Sequence, residues 1–304
     1  MKGRTYAVYD VFTDKVLTGN PLAVVFDADG LDTAAMQAIA REFNLSETVF
    51  VLPPENQAHR AGIRIFTPGN ELPFAGHPTV GAAIALTERD GGGRAAQNGI
   101  FVLEEKVGAV RCAITHDKAG AFAEFDLPRL AQPVGFPALP ESVAAALGLE
   151  PQDIGFENHV VGAWSAGVPY ATVPVRGLAE AAKVRMNTDL WLELTPVIGG
   201  IITSPYVYCR ETVHHGSSFH ARMFGPYDGI IEDPATGSAV AALTGAIMKF
   251  DQPVDGPSQF WIEQGIEMGR PSSIRLEIDV TRGAMTAARI GGHARKVAEG
   301  TLFA

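Results

Sequence analysis

The stretch Gly76-His77-Pro78-Thr79-Val80-Gly81-Ala82-Ala83-Ile84-Ala85-Leu86-Thr87-Glu88 decides the fold. Residues 78–88 read as a helix, and Val80, Ala82, Ala83, Ile84, Ala85 and Leu86 leave it almost no polar face. A helix that is apolar all round must be buried on all sides. Runs rich in β-branched and aromatic residues flank it, at 6–12, 22–26, 47–52 and 63–66 before it and at 100–104 and 109–114 after it. Such runs read as strands, so the simplest arrangement wraps a sheet around the helix. An ordinary amphipathic helix lies earlier, with Leu31, Ala35, Met36, Ile39, Ala40 and Phe43 on one face. Asp32 is its expected N-cap and Asn44 its expected C-terminal stop.

The same plan recurs. Phe66-Thr67-Pro68 precedes Ala75-Gly76-His77 and the first apolar helix. Phe224-Gly225-Pro226 precedes Thr236-Gly237-Ser238 and a second helix, at 239–249, again apolar nearly all round. Matching Gly76 to Gly237 sets His77 opposite Ser238. Further strands are expected at 122–127, 171–175, 198–203, 207–209, 219–224, 260–262, 274–278 and 285–290, with short helices at 141–147 and 178–184. Asp90-Gly91-Gly92-Gly93 reads as a flexible loop. The expected fold is α+β, two pseudo-symmetric domains, each a mostly antiparallel sheet wrapped around a central apolar helix. Two glycine-rich helix starts could also match by chance.

Composition narrows the function classes. Of 304 residues, 46% are hydrophobic and 19% charged, which is too apolar for disorder and long enough for about two domains. Acids outnumber bases, 34 to 24, for a net charge of −10, which argues against a nucleic-acid or anionic-membrane surface. No apolar run reaches the ~20 residues of a membrane span. Residues 1–14 alternate without the apolar core of a secretory signal, so a cytoplasmic location is expected. Cys112 and Cys209 are too few for a disulfide scaffold and lack zinc-site spacing. No strand feeds a G-x-G-x-x-G turn. Neither a metal nor a cofactor is expected.

Each apolar helix opens at a glycine followed by a polar side chain, His77 or Ser238. Helix N-termini carry unpaired N–H groups and partial positive charge. If the two halves face each other across a pseudo-twofold axis, both starts form one carboxylate-binding cleft. Ordinary capped helices would give the same letters. Glu47, in Asn44-Leu45-Ser46-Glu47-Thr48, stands at a helix-to-strand junction where desolvation would suit a general acid or base. A surface glutamate in a turn is the plainer reading. Asp233 precedes Pro234 and the turn into Ser238, and either Asp233 or Ser238 could instead cap the helix. His77 could bind a ligand or shuttle a proton. His214-His215 reads as a solvated pair.

Five motifs now stand in order: Gly19-Asn20-Pro21-Leu22-Ala23-Val24, Asn44-Leu45-Ser46-Glu47-Thr48, Phe66-Thr67-Pro68, Glu71-Leu72-Pro73-Phe74-Ala75-Gly76-His77-Pro78-Thr79 and Glu232-Asp233-Pro234-Ala235-Thr236-Gly237-Ser238-Ala239. Together, over residues 6–300, they resemble the PhzF-like phenazine biosynthesis family. The resemblance implies the diaminopimelate epimerase fold and a homodimer. The repeat itself sets a boundary near residue 118, giving residues 1–118 and 119–288, and the resemblance adds to the first a returning C-terminal strand at about 289–304. The resemblance also implies Glu47 as the catalytic acid/base, with His77, Asp233 and Ser238 as helpers in substrate binding and proton handling. Gly76 and Gly237 match backbone donors, Asn20 matches a motif position whose role is structural or substrate-lining, and Ser46 is grouped with them as substrate-binding. Ala75 and Thr236 stand where related epimerases carry two opposing cysteines, so a two-thiol racemase is not expected. The implied activity is a cofactor-independent isomerase that shifts a proton on a small carboxylate-bearing substrate, resembling trans-2,3-dihydro-3-hydroxyanthranilate isomerase. The alternatives are a non-catalytic aromatic-acid-binding protein, or an epimerase or lyase on the same scaffold.

Overall fold

The computed structural model describes residues 3–89, 98–225 and 230–304. The glycine-rich loop read at Asp90-Gly91-Gly92-Gly93 and Pro226 of the second repeat motif lie outside the described residues. The chain divides into two compact units, Met1–Pro128 with Gly291–Ala304, and Arg129–Ile290. The fold is α+β, mostly strands with six α-helices among the described residues. None of those helices is long and apolar enough to cross a membrane.

In chain order the first unit holds β1 (Gly3–Val11), β2 (Asn20–Val25), α1 (Thr33–Phe43), β3 (Glu47–Leu52), β4 (Ala61–Phe66), β5 (Glu71–Leu72), α2 (Gly76–Arg89), β6 (Gly99–Glu105), β7 (Gly108–Asp117) and β8 (Gly120–Asp126). The second holds β9 (Gln132–Val134), α3 (Pro140–Leu147), β10 (Gly162–Ser165), β11 (Pro169–Pro174), α4 (Leu178–Lys183), α5 (Thr188–Leu194), β12 (Val197–Ile198), β13 (Ile201–Ile202), β14 (Ser204–Cys209), β15 (Phe219–Gly225), β16 (Ile230–Asp233), α6 (Gly237–Phe250), β17 (Gly256–Gln264) and β18 (Ser272–Thr281). The last strand, β19 (Ala284–Phe303), starts in the second unit and ends in the first.

In the first unit β1 and β2 are antiparallel, β2 and β3 parallel, β3 and β4 antiparallel, β4 and β6 parallel, and β6, β7 and β8 antiparallel. β8 and β1 both pair with β19, so the sheet closes on itself. Parallel neighbours need a crossover, and α1 and α2 supply the two. α2 packs against β1, β2, β3, β7 and β8. Every residue from Gly76 to Leu86 is buried. Val80, Ile84 and Leu86 are at most 4% exposed, and such burial contributes roughly 1.5–3 kcal/mol per side chain. On the outer face, Met36, Ile39 and Ala40 of α1 cover Val25, Phe50 and Phe66. Strands covered on both faces read as continuous apolar runs rather than alternations, as Leu22–Val25 and Val49–Val51 do.

The second unit repeats this order of pairings. β10 and β11 are antiparallel, β11 and β14 parallel, β14 and β15 antiparallel, β15 and β17 parallel, and β17 and β18 antiparallel. α6 takes the place of α2, buried through Ala239–Ile247 and packed on β9, β10, β11 and β18. The opposite face of β11 and β14 is covered by Val143, Leu147, Ala181 and Trp191 of α3, α4 and α5.

Two readings of the sequence need correction. The strand expected at 285–290 and the returning strand expected from 289 are one uninterrupted element, β19. Gly291-Gly292 does not break it. A Cβ on Gly292 would stand 2.4 Å from the Phe12 ring, so this glycine permits close approach rather than a turn. The strand expected at 198–203 is split, with Val197–Ile198 pairing antiparallel with Ile201–Ile202 across Gly199-Gly200, and α5, for which the sequence reading has no helix, precedes it with Asn187 accepting from Leu190 N.

Candidate active site

Asn20 opens β2 and Glu47 opens β3, and the parallel register sets Leu22 beside Glu47. His77 is the second residue of α2. The fold brings the three together. Asn20 Nδ2 lies 3.3 Å from His77 Nδ1, and His77 Nε2 lies 3.3 Å from Glu47 Oε2. Asn20 is fully buried, and the His77 and Glu47 side chains are 5% and 13% exposed. With the Asn20 amide placed nitrogen-first toward the ring, His77 Nδ1 is the acceptor, and this assignment puts the ring proton on Nε2. Burial pushes the His77 pKa down to about 3, which leaves the ring neutral near pH 7. Glu47 therefore has an uncharged ring beside it, and the 3.3 Å approach of Nε2 to Oε2 is a close contact that falls short of hydrogen-bond alignment. Ser46 is half-buried and directly precedes Glu47.

In the second unit Asp233 ends β16 and is 5% exposed. It does not cap α6. Thr236 is the N-cap residue, without a side-chain cap hydrogen bond, and its Oγ1 donates to Asp233 Oδ2 at 2.5 Å. Ser238, the second residue of α6, shares a 2.8 Å hydrogen bond with Tyr170 OH. Gly76 and Gly237 are buried as the first residues of their helices.

The sequence reading missed what holds this turn. Gln264 Nε2 donates to Asp233 O at 2.7 Å and to Thr236 Oγ1 at 3.0 Å, and Gln264 Oε1 accepts from Tyr206 OH at 3.3 Å. Ser272 Oγ donates to Pro234 O at 2.7 Å. Gly265 has φ +75°, and a Cβ there would meet Pro234 O at 2.6 Å, so only glycine fits. The letters offer only Gln264-Gly265, polar and flexible, one residue beyond the apolar run 260–262, which marks a turn and not its partners.

Behind β16 lies an ionic network. Arg222 grips Glu232, the neighbour of Asp233, through Nε at 2.7 Å and Nη2 at 2.9 Å. His220, 1% exposed, stands between Glu263 at 3.0 Å and Glu267 at 2.9 Å. Burial works to lower its pKa, but the two carboxylates outweigh burial and raise it to about 9. The sign is fixed by linkage. A histidine whose folded pKa lies above its unfolded 6.5 adds stability fully present below 6.5 and lost as pH rises through about 9. Chemical unfolding across that window is expected to show this loss in the parent and a flatter profile in His220→Gln. Equal slopes in both would dismiss the charged histidine.

His214 and His215 are exposed. Cys112 and Cys209 are buried free thiols, and burial raises both pKa values, that of Cys209 to about 12. Neither is poised as a thiolate base. Among the described residues no group of three His, Cys, Asp or Glu is placed to hold a metal ion.

Residues 9–300 match the family model described as phenazine biosynthesis-like protein. An uncharacterized isomerase of Mesorhizobium japonicum is 62% identical over 304 residues, covering 100% of both chains. Trans-2,3-dihydro-3-hydroxyanthranilate isomerase of Pseudomonas aeruginosa is 34% identical over 301 residues, covering 98% of this chain and 99% of its own. The crystal structure of a Bacillus anthracis phenazine biosynthesis protein of the PhzF family superimposes with a TM-score of 0.87, at 29% identity and full coverage of both chains.

Proposed function

Because the chain belongs to the phenazine biosynthesis-like family and is an isomerase of it, we propose that it shifts a proton between carbons of a small cyclic carboxylic acid with Glu47 as the acid/base. The substrate class is that of trans-2,3-dihydro-3-hydroxyanthranilate, on which the Pseudomonas aeruginosa relative is named to act. Glu47 takes the proton from one carbon and returns it to another on the same face. The neutral His77 ring, 3.3 Å from Glu47 Oε2, keeps a fixed charge of zero beside the carboxylate while the charge of Glu47 changes. Asp233 and Ser238, with Asn20, Ser46 and the N–H groups of Gly76 and Gly237, bind the amino, hydroxyl and carboxylate groups. General acid–base help of this kind is worth ~10²–10⁴-fold, and helix N-termini stabilise developing negative charge. The two units are then pseudo-symmetric halves of a diaminopimelate epimerase-like fold, in a chain that works as a homodimer.

The observation that supports this reading is the cluster Asn20–His77–Glu47, which sets a half-buried carboxylate beside an uncharged ring oriented by Asn20. Ala75 and Thr236 at the helix starts disfavour a two-thiol epimerase. Incubation with trans-2,3-dihydro-3-hydroxyanthranilate in deuterium oxide is expected to yield a shifted isomer carrying deuterium on carbon. An acid that binds and returns unchanged, without deuterium, would leave the non-catalytic reading in its place.

A further inference from the structure

We propose that Glu105 is a neutral carboxylic acid and a positioning residue for His77, holding the first turn of α2 through a proton relay from Glu105 Oε1 to Thr79 Oγ1 and on to the Ala75 carbonyl. It rests on the reading of His77 as a site residue only for its bearing on turnover.

Thr79 is fully buried, two residues after His77. Its Oγ1 lies 2.8 Å from Ala75 O and 2.8 Å from Glu105 Oε1. A hydroxyl has one proton to give, and a backbone carbonyl can only accept. If Glu105 were ionised, one of these two short contacts would hold no proton and would set lone pairs against each other. With Glu105 protonated, both contacts are hydrogen bonds and the count closes. Glu105 Oε2 is buried with no hydrogen-bond partner among the described residues. The carbonyl oxygen of a neutral acid tolerates that better than a carboxylate oxygen does.

The surroundings agree. Glu105 ends β6 and is 8% exposed. Burial pushes its pKa up to about 8, opposed by the Thr79 hydroxyl. From β7, Cys112 is coupled to it, and burial pushes that thiol up too. Arg111 and Asp126, which also act on Cys112, pair with each other at the surface, 3.1 Å apart. From α2, His77 is uncharged. The Ala75 carbonyl that ends the relay also accepts Thr79 N at 3.2 Å, so it anchors the turn carrying Gly76 and His77. Loss of the Glu105 proton to solvent would turn the Thr79 hydroxyl away from Ala75 and toward the new carboxylate.

Two measurements test this without any substrate. The infrared difference spectrum of parent minus Glu105→Gln is expected to show a carboxylic-acid carbonyl band at about pH 6, lost with a midpoint near 8. Carboxylate bands alone at that lower pH overturn the proposal. Nitrogen-15 histidine spectra are expected to show the His77 ring signals shifting with the same midpoint in the parent and holding constant in Glu105→Gln. His77 signals that titrate alike in both overturn the positioning role. Should Glu105→Gln fail to fold, Thr79→Ser is expected to keep the His77 shift and Thr79→Val to lose it, and equal behaviour of the two overturns the relay. Failure of any of these leaves the assignment of Glu47 standing, because that assignment is read from turnover.

Discussion

Glu47→Gln is expected to lower turnover by ~10²-fold or more while a substrate-like aromatic acid still binds. Glutamine keeps the shape of the side chain and its place beside the His77 ring. It cannot take a proton from carbon. His77 offers no ready substitute. Its Nδ1 is engaged by Asn20, and a ring pushed down to about 3 is a feeble base. The loss should therefore fall on kcat more than on KM. The decisive measurement is solvent deuterium incorporation by the variant on a true substrate. Exchange at the parent's rate would remove Glu47 from the mechanism and move the base to His77 or Asp233.

The largest effect on folding is expected from a charge placed inside either central helix. Ala83 is 0% exposed and Ala241 3% exposed. Ala83→Asp or Ala241→Asp should cost more than ~3 kcal/mol, because an aspartate there has no partner and no water. A substitution at exposed His215 should stay within about 0.5 kcal/mol. Urea unfolding of the three variants measures the contrast. If Ala83→Asp unfolded at the parent's midpoint, α2 would not be the core element it is described as.

Features set by neighbours along the chain were readable from the letters. Asp32 accepts from Ala35 N at 2.8 Å, and Asn44 takes the left-handed conformation at φ 50°. Capping is decided within four residues, so composition reveals it. The two apolar helices were readable for a similar reason, since a helix without a polar face has few places to go. The brace around Asp233 was not. Gln264 meets Thr236 across 28 residues, Asp233 across 31 and Tyr206 across 58, and nothing local announces such meetings. Glu105 sits between these cases. In Glu104-Glu105-Lys106 it looks like part of a solvated run. Alternation with buried Leu103 was the signal that it turns inward.

Strand β19 ties the timing of synthesis to the architecture. Unit 1 needs residues 291–303 to bridge β8 and β1. On the ribosome, at ~5–20 residues per second, roughly 8–30 s separate the emergence of β8 from that of this bridge. During that interval β1 and β8 each present a bare edge, the kind of surface that recruits stray strands from other chains. The N-terminal half must therefore wait, guarded or unfinished, until the second unit has been made and its last strand returns.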